Sequence, residues 1–131
     1  MNKQPNSYHC FICGVKNIGG VHVNFYEVPA VADSNGAGNG AAAVGGQEVL
    51  ARFTGQDIHQ GYPGRMHGGI ITGILDETIG RAINIGEGDT MPARWGVTAE
   101  LAVRFHQPVP LAVELTARGR ITRENRRLFE G

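Results

Sequence analysis

Cysteine is scarce in this chain. Cys10 and Cys13 are the only two in 131 residues, and they share a single CxxC. A disulfide framework is therefore unexpected, and with no secretion signal to read, a reduced, cytoplasmic chain is the expectation. Charge of one sign is also lacking: twelve Lys and Arg balance twelve Asp and Glu, and the pI is near neutral. That argues against a nucleic-acid-binding or polybasic membrane role. No apolar run reaches ~18 residues, so no transmembrane helix is expected. The start "MNKQPNSYHCFICG" has neither an apolar signal core nor an amphipathic Arg-rich pattern, and no targeting segment is read from it. A second CxxC is missing too. His9 and His22 lie near Cys10 and Cys13, but structural zinc takes four ligands and one CxxC with two histidines is a weak signal. No metal and no cofactor are expected. A thioredoxin-type redox role would want a surrounding βαβ pattern, which is absent.

What is present reads as one domain over residues 1–131, with a modest core that a partner subunit would help to complete. After an N-terminal CxxC segment (8–20), "GVHVNFYE" alternates, with Val21, Val23 and Phe25 on one face of a half-buried strand. A Gly/Ala-rich insertion (about 29–46) follows and reads as a flexible hairpin tip. No phosphate-loop lysine follows it, so it is no nucleotide signature. "EVLARFT" is a second strand, with Val49, Ala51 and Phe53 on one face, and "GQDIHQGYPGRM" is a loop. A helix is predicted from about Gly68 to Ile85, closed by Gly86 and Gly88. Beyond it, "GVTAELAVRFH" and "AVELTARGRIT" alternate, joined through Pro108 and Pro110. One antiparallel sheet packing a face on one helix satisfies this order, an α+β architecture. "ENRRLFEG" reads as a turn and the start of a strand, and the sheet is expected to draw on residues beyond Gly131.

The helix is unusual. With Ile70 set at zero, its isoleucines, Leu75 and Ala82 cover a broad apolar arc, so it is mostly enclosed. Gly69, Gly73 and Gly80 form a narrow stripe at roughly 260–300°, and Asp76 lies beside it at ~240°. An interior glycine costs ~1 kcal/mol against alanine. The stripe serves close packing, or it clears a path for a thin substrate to reach Asp76. Glu77 points elsewhere, at ~340°, with Arg81 four residues on, and reads as a solvated ion pair. "HGG" opens the helix, where the first N–H groups lack intrahelical partners and suit an oxyanion or an electron-rich carbonyl oxygen. His67 at such a place is more often a cap or anchor than a catalyst.

"HQGYPGRMHGGIITGILDETIGRA" followed by "WGVTAELAVRFHQPVPL", with the opening "CFICGVKNIGGVHVNFYE", resembles the PaaI-like acyl-CoA thioesterases of the hotdog-fold superfamily. The resemblance implies a curved antiparallel sheet wrapped around one long central helix. It also implies side-by-side homodimers, sometimes paired into tetramers as dimers of dimers, with active sites at the dimer interface built from both subunits. The family's helix acid falls on Asp76, as general base or nucleophile. The carbonyl-polarising amide falls on Gly68, with Gly69 beside it, and the Ser/Thr that positions the acid or water falls on Thr98. The family's polar Asn/Gln, six residues before the HGG histidine, falls on Gly61 here, with Gln60 and His59 next door as candidate substitutes. His67, Gly69, Gln60, Gly61 and Gly73 are expected to line the substrate site, and simple alternation puts Thr98 on a polar strand face with Glu100 and Arg104.

The reading is an acyl-CoA thioesterase for a small or medium acyl group, aromatic ones included, with acyl-CoA as the partner molecule and neither nucleic acid nor membrane involved. Its rivals are a non-catalytic acyl-CoA-binding protein and a hydratase or dehydratase on the same fold. Arg104, His106 or part of "RGRITRENRR" are candidates to meet the CoA phosphates, since arginine matches phosphate geometry.

Overall fold

A computed structural model describes residues 1–31, 42–88 and 96–131. Most of the Gly/Ala insertion, and most of the loop after the helix, fall outside the described residues. The elements run β1 (Asn2–Lys3), β2 (Asn24–Pro29), β3 (Gln47–Thr54), α1 (Gly68–Ala82), β4 (Glu114–Gly119), β5 (Arg123–Glu124) and β6 (Phe129–Glu130). The first four strands form one antiparallel sheet in the order β1-β2-β3-β4. β5 and β6 form a hairpin whose turn is closed by Asn125, its side-chain oxygen accepting from the Arg127 and Leu128 amides at 2.9 Å.

The alternation in β3 does what a period of two requires: Val49, Ala51 and Phe53 point inward and are buried. Ala51 stands between Phe25 on β2 and Ala117 on β4, so the three strands share one apolar face. α1 lies across that face, against β3 and β4. It buries Ile74, Thr78 and Ala82, one residue per turn on a single line. The approach is close. A methyl on Gly119 of β4 would sit 2.8 Å from the Thr78 carbonyl oxygen, so this glycine is required for the helix to touch the sheet. The Thr78 hydroxyl, buried with it, donates back to the Ile74 carbonyl at 2.6 Å.

On the edge of this layer sits a knuckle made by residues 7–23. Val15 and Lys16 amides donate to the Ser7 and Tyr8 carbonyls, and the Val21 and Val23 amides donate to Phe11 and Ile12. Gly14 makes the tight turn after the CxxC possible: a methyl there would lie 2.4 Å from the Cys10 carbonyl oxygen. Val21 and Val23 are buried as expected, but they pair with the knuckle, and the ladder of β2 begins only at Asn24.

Two sequence expectations need correction. The helix ends at Ala82, with the chain turning through Ile83–Gly86, where Gly86 takes a positive φ of 89°. The strand expected over Val97–Phe105 has no ladder among the described residues, and Val97, Leu101 and Phe105 are exposed, Val97 at 91%. Its alternation is intact, but none of the described sheet strands supplies a face or an edge for it.

Candidate active site

The first residues of α1 are set by His67. Its backbone is extended (φ −61°, ψ 132°), and its Nδ1 accepts from the Gly69 amide at 2.9 Å, a side-chain cap for the helix. In the neutral ring, this places the proton on Nε2. The His67 carbonyl accepts from the Ile70 and Ile71 amides. The Gly69 N–H, expected to face substrate, is thus taken by His67. The Gly68 N–H stands ahead of the first turn and has no acceptor four residues back in the helix. It borders a groove of ≈ 810 Å³ walled by Tyr62, Ile71, Phe105 and Val109, with Gly61, His67, Arg65 and His106 in the lining.

Asp76 lies further along the helix, half-buried, and its Oδ1 accepts from the Thr98 hydroxyl at 2.6 Å. The segment after the helix thus places the Thr98 hydroxyl beside Asp76. Asp76 does not line the groove at Gly68. Eight residues at 1.5 Å rise separate the two along the helix, about 12 Å.

Other expected site residues are engaged elsewhere. The Gln60 side-chain oxygen accepts from the Gly64 amide at 3.1 Å, closing the 60–64 turn. His59 is buried: its Nδ1 accepts from the Gln56 amide at 2.9 Å, which leaves Nε2–H to donate to the Gly19 carbonyl at 3.0 Å. Neither reaches the groove to substitute for a polar side chain at Gly61, which packs against His67, 3.1 Å from the His67 Cα for a methyl placed there. Gly73, expected to clear a substrate path, is covered by Ile12 of the knuckle: a methyl on it would meet the Ile12 Cδ1 at 3.1 Å. Gly73 is thus a point of close packing between the helix and the knuckle. Around Gly80, a methyl would meet nothing within 4 Å.

Glu77 is also corrected. It does pair with Arg81, at 3.2 Å, but the pair is largely covered, with side-chain exposures of 20% and 15%. The knuckle lies over it, and the Cys10 thiol donates to Glu77 Oε2 at 3.3 Å. Burial first, and then the Glu77 carboxylate, push the Cys13 thiol above its usual range. The helical wheel gave the direction of Glu77 but not what stood opposite it.

The site thus combines a His67-capped glycine turn with an acid further along the same helix. This chain belongs to the thioesterase superfamily, whose family model matches residues 63–131, just over half of the sequence. Its architecture is the α+β hotdog fold. No curated protein and no solved structure matched it. Among the described residues, no helix is long and apolar enough to cross a membrane.

Proposed function

We propose that this chain is an acyl-CoA thioesterase for small or medium acyl groups, aromatic ones included, working in the cytoplasm as a homodimer with two composite sites. The observation that carries the reading is the Thr98–Asp76 hydrogen bond on a helix that also presents the Gly68 amide. Thr98 occupies Oδ1, which leaves Oδ2 of the carboxylate for water or for the thioester carbon. The Gly68 N–H polarises the thioester carbonyl and stabilises the oxyanion that forms when the oxygen nucleophile adds. The carbon–sulfur bond then breaks and the CoA thiolate leaves as a thiol, with the proton that Asp76 took from water, or, where Asp76 itself adds, with a solvent proton before water hydrolyses the acyl–Asp76 anhydride.

The separation of about 12 Å along one helix is too long for both groups of one chain to reach a single carbonyl. Gly68 of one copy therefore acts with Asp76 of the other. Such pairing also gives the exposed apolar residues of the 97–105 segment a surface to meet. A non-catalytic acyl-CoA-binding protein is the second reading, favoured by Gly61 and by the engagement of Gln60 and His59.

A panel of acyl-CoA esters assayed for free-thiol release tests both. Turnover on at least one ester is expected, falling by at least ~10²-fold in Asp76→Asn, the scale of acid–base catalysis, with the folded state retained. Saturable binding of acyl-CoA with no thiol release by the native protein would favour the second reading, and full activity in Asp76→Asn would remove the acid from the mechanism.

A further inference from the structure

The sequence expectation of no metal rested on too few ligands around one CxxC. The fold brings another. Cys10 Sγ, Cys13 Sγ and a Glu77 carboxylate oxygen all lie within 4.8 Å of one another, although Glu77 is more than sixty residues away in sequence. We propose that these three side chains bind one zinc ion, which fastens the N-terminal knuckle to the helix one residue beyond Asp76.

Two observations support it. The first is the donor geometry. Zn–S bonds of ≈ 2.3 Å and Zn–O bonds of ≈ 2.1 Å in a tetrahedron put donor atoms about 3.5–3.8 Å apart. Cys10 Sγ and Glu77 Oε2 are already at 3.3 Å, so an ion needs only small side-chain rotations to be seated. Cys10 is only partly buried, which leaves a solvent approach for the ion and for a water as fourth ligand.

The second is Arg81. Its Nη2 donates to Cys13 Sγ at 3.1 Å, and its Nε to the other Glu77 oxygen, Oε1, at 3.2 Å. The guanidinium is held from two further sides, by the Pro5 carbonyl at 2.7 Å and by the Phe25 ring at 4.5 Å. An arginine only donates, so Cys13 Sγ must accept, and a metal-bound thiolate accepts far better than a thiol. Two thiolates and a carboxylate exceed the charge of a zinc ion by one, and Arg81 supplies the balance. Arg81 thus stands as a fixed partner behind two of the three donors, Cys13 and Glu77, as such partners orient ligands at metal sites.

Neither nearby histidine belongs to the ligand set. The His22 ring turns to the Asn17 carbonyl at 2.6 Å, and His9 lies edge-on to the Tyr8 ring. Soft thiolates favour zinc, copper(I) or iron–sulfur sites, and the carboxylate in the set selects zinc over copper(I).

The test is metal content, not turnover. The full chain, purified under reducing conditions without chelator, is expected to carry about one zinc per chain by elemental analysis. After exchange with cobalt(II), it should show the visible bands of a tetrahedral site and a sulfur-to-cobalt charge-transfer band. Cys10→Ser should lose the charge-transfer intensity in part. Glu77→Gln should fold and weaken zinc binding by more than the roughly 10–100-fold that loss of an outer-shell partner costs. Cys13 is buried, so Cys13→Ser risks the fold, and the other two variants decide the matter. Native protein with two freely titratable thiols and no zinc, or with Cys10 and Cys13 joined as a disulfide, would overturn the proposal. So would zinc affinity unchanged in Glu77→Gln.

Discussion

At the scale of the residue, the most informative position is Gly68, because its contribution to the proposed chemistry is a single N–H. Proline removes that group, and the local backbone tolerates it. Gly68 is the first residue of the helix, where proline is favoured and no intrahelical hydrogen bond is lost. His67, at φ −61° and ψ 132°, already has the extended conformation that a residue before proline requires. Gly68→Pro is therefore expected to leave thermal unfolding almost unchanged while lowering turnover by about 10²–10³-fold, the effect of losing one oxyanion donor. Gly68→Ala keeps the N–H, and its methyl meets the Phe105 ring at 3.5 Å, an ordinary contact. It should cost much less. Equal losses in the two variants would show that the space at Gly68 matters and its N–H does not. The pairing of Asp76 with Thr98 was legible beforehand because the spacing from His67 to the acid is local and the resemblance supplied the distant partner. Glu77 was not legible, since its neighbours come from residues 10 and 13, a contact that no local period encodes.

At the scale of the element, two glycines near the same helix should respond to alanine in opposite ways. Gly80 lies inside α1 with open space around it, so Gly80→Ala should stabilise the isolated chain by up to ~1 kcal/mol through helix propensity alone. Gly119 faces α1 across 2.8 Å, and Gly119→Ala should destabilise by ~1–3 kcal/mol as helix and sheet are pushed apart. Urea unfolding of both variants measures this, and a stabilised Gly119→Ala would mean that helix and β4 have room for a methyl between them. If Gly80→Ala instead weakens self-association, its open side is where a second copy packs. The helix and strands β2, β3 and β4 were readable because their apolar periods agree with a face buried within the same chain. The segment 97–105 has the same period yet no ladder among the described residues, so alternation revealed that it has an apolar face without revealing what covers it. Gly73 was ambiguous for a related reason: a missing side chain marks a close approach, and only the fold shows that Ile12 makes it.

At the scale of the whole molecule, the distance along α1 is the organising quantity. Gly68 and Asp76 sit about two helical turns apart, and a thioester carbonyl spans a fraction of that. The proposed activity then belongs to the dimer, and specific activity should fall on dilution in step with dissociation measured by sedimentation or light scattering. A dilute monomer with full activity would refute the shared site.

The spacing of Gly68 and Asp76 on one rigid helix has a genetic consequence. Each copy would lend its amide to one site and its acid to the other, so two different lesions can be segregated into the same site. Gly68→Pro and Asp76→Asn homodimers should both be nearly inactive. After the two are unfolded together and refolded, random pairing makes half of the dimers mixed, and each mixed dimer has one doubly damaged site and one undamaged site. Roughly a quarter of native activity should return, from two proteins that have almost none apart.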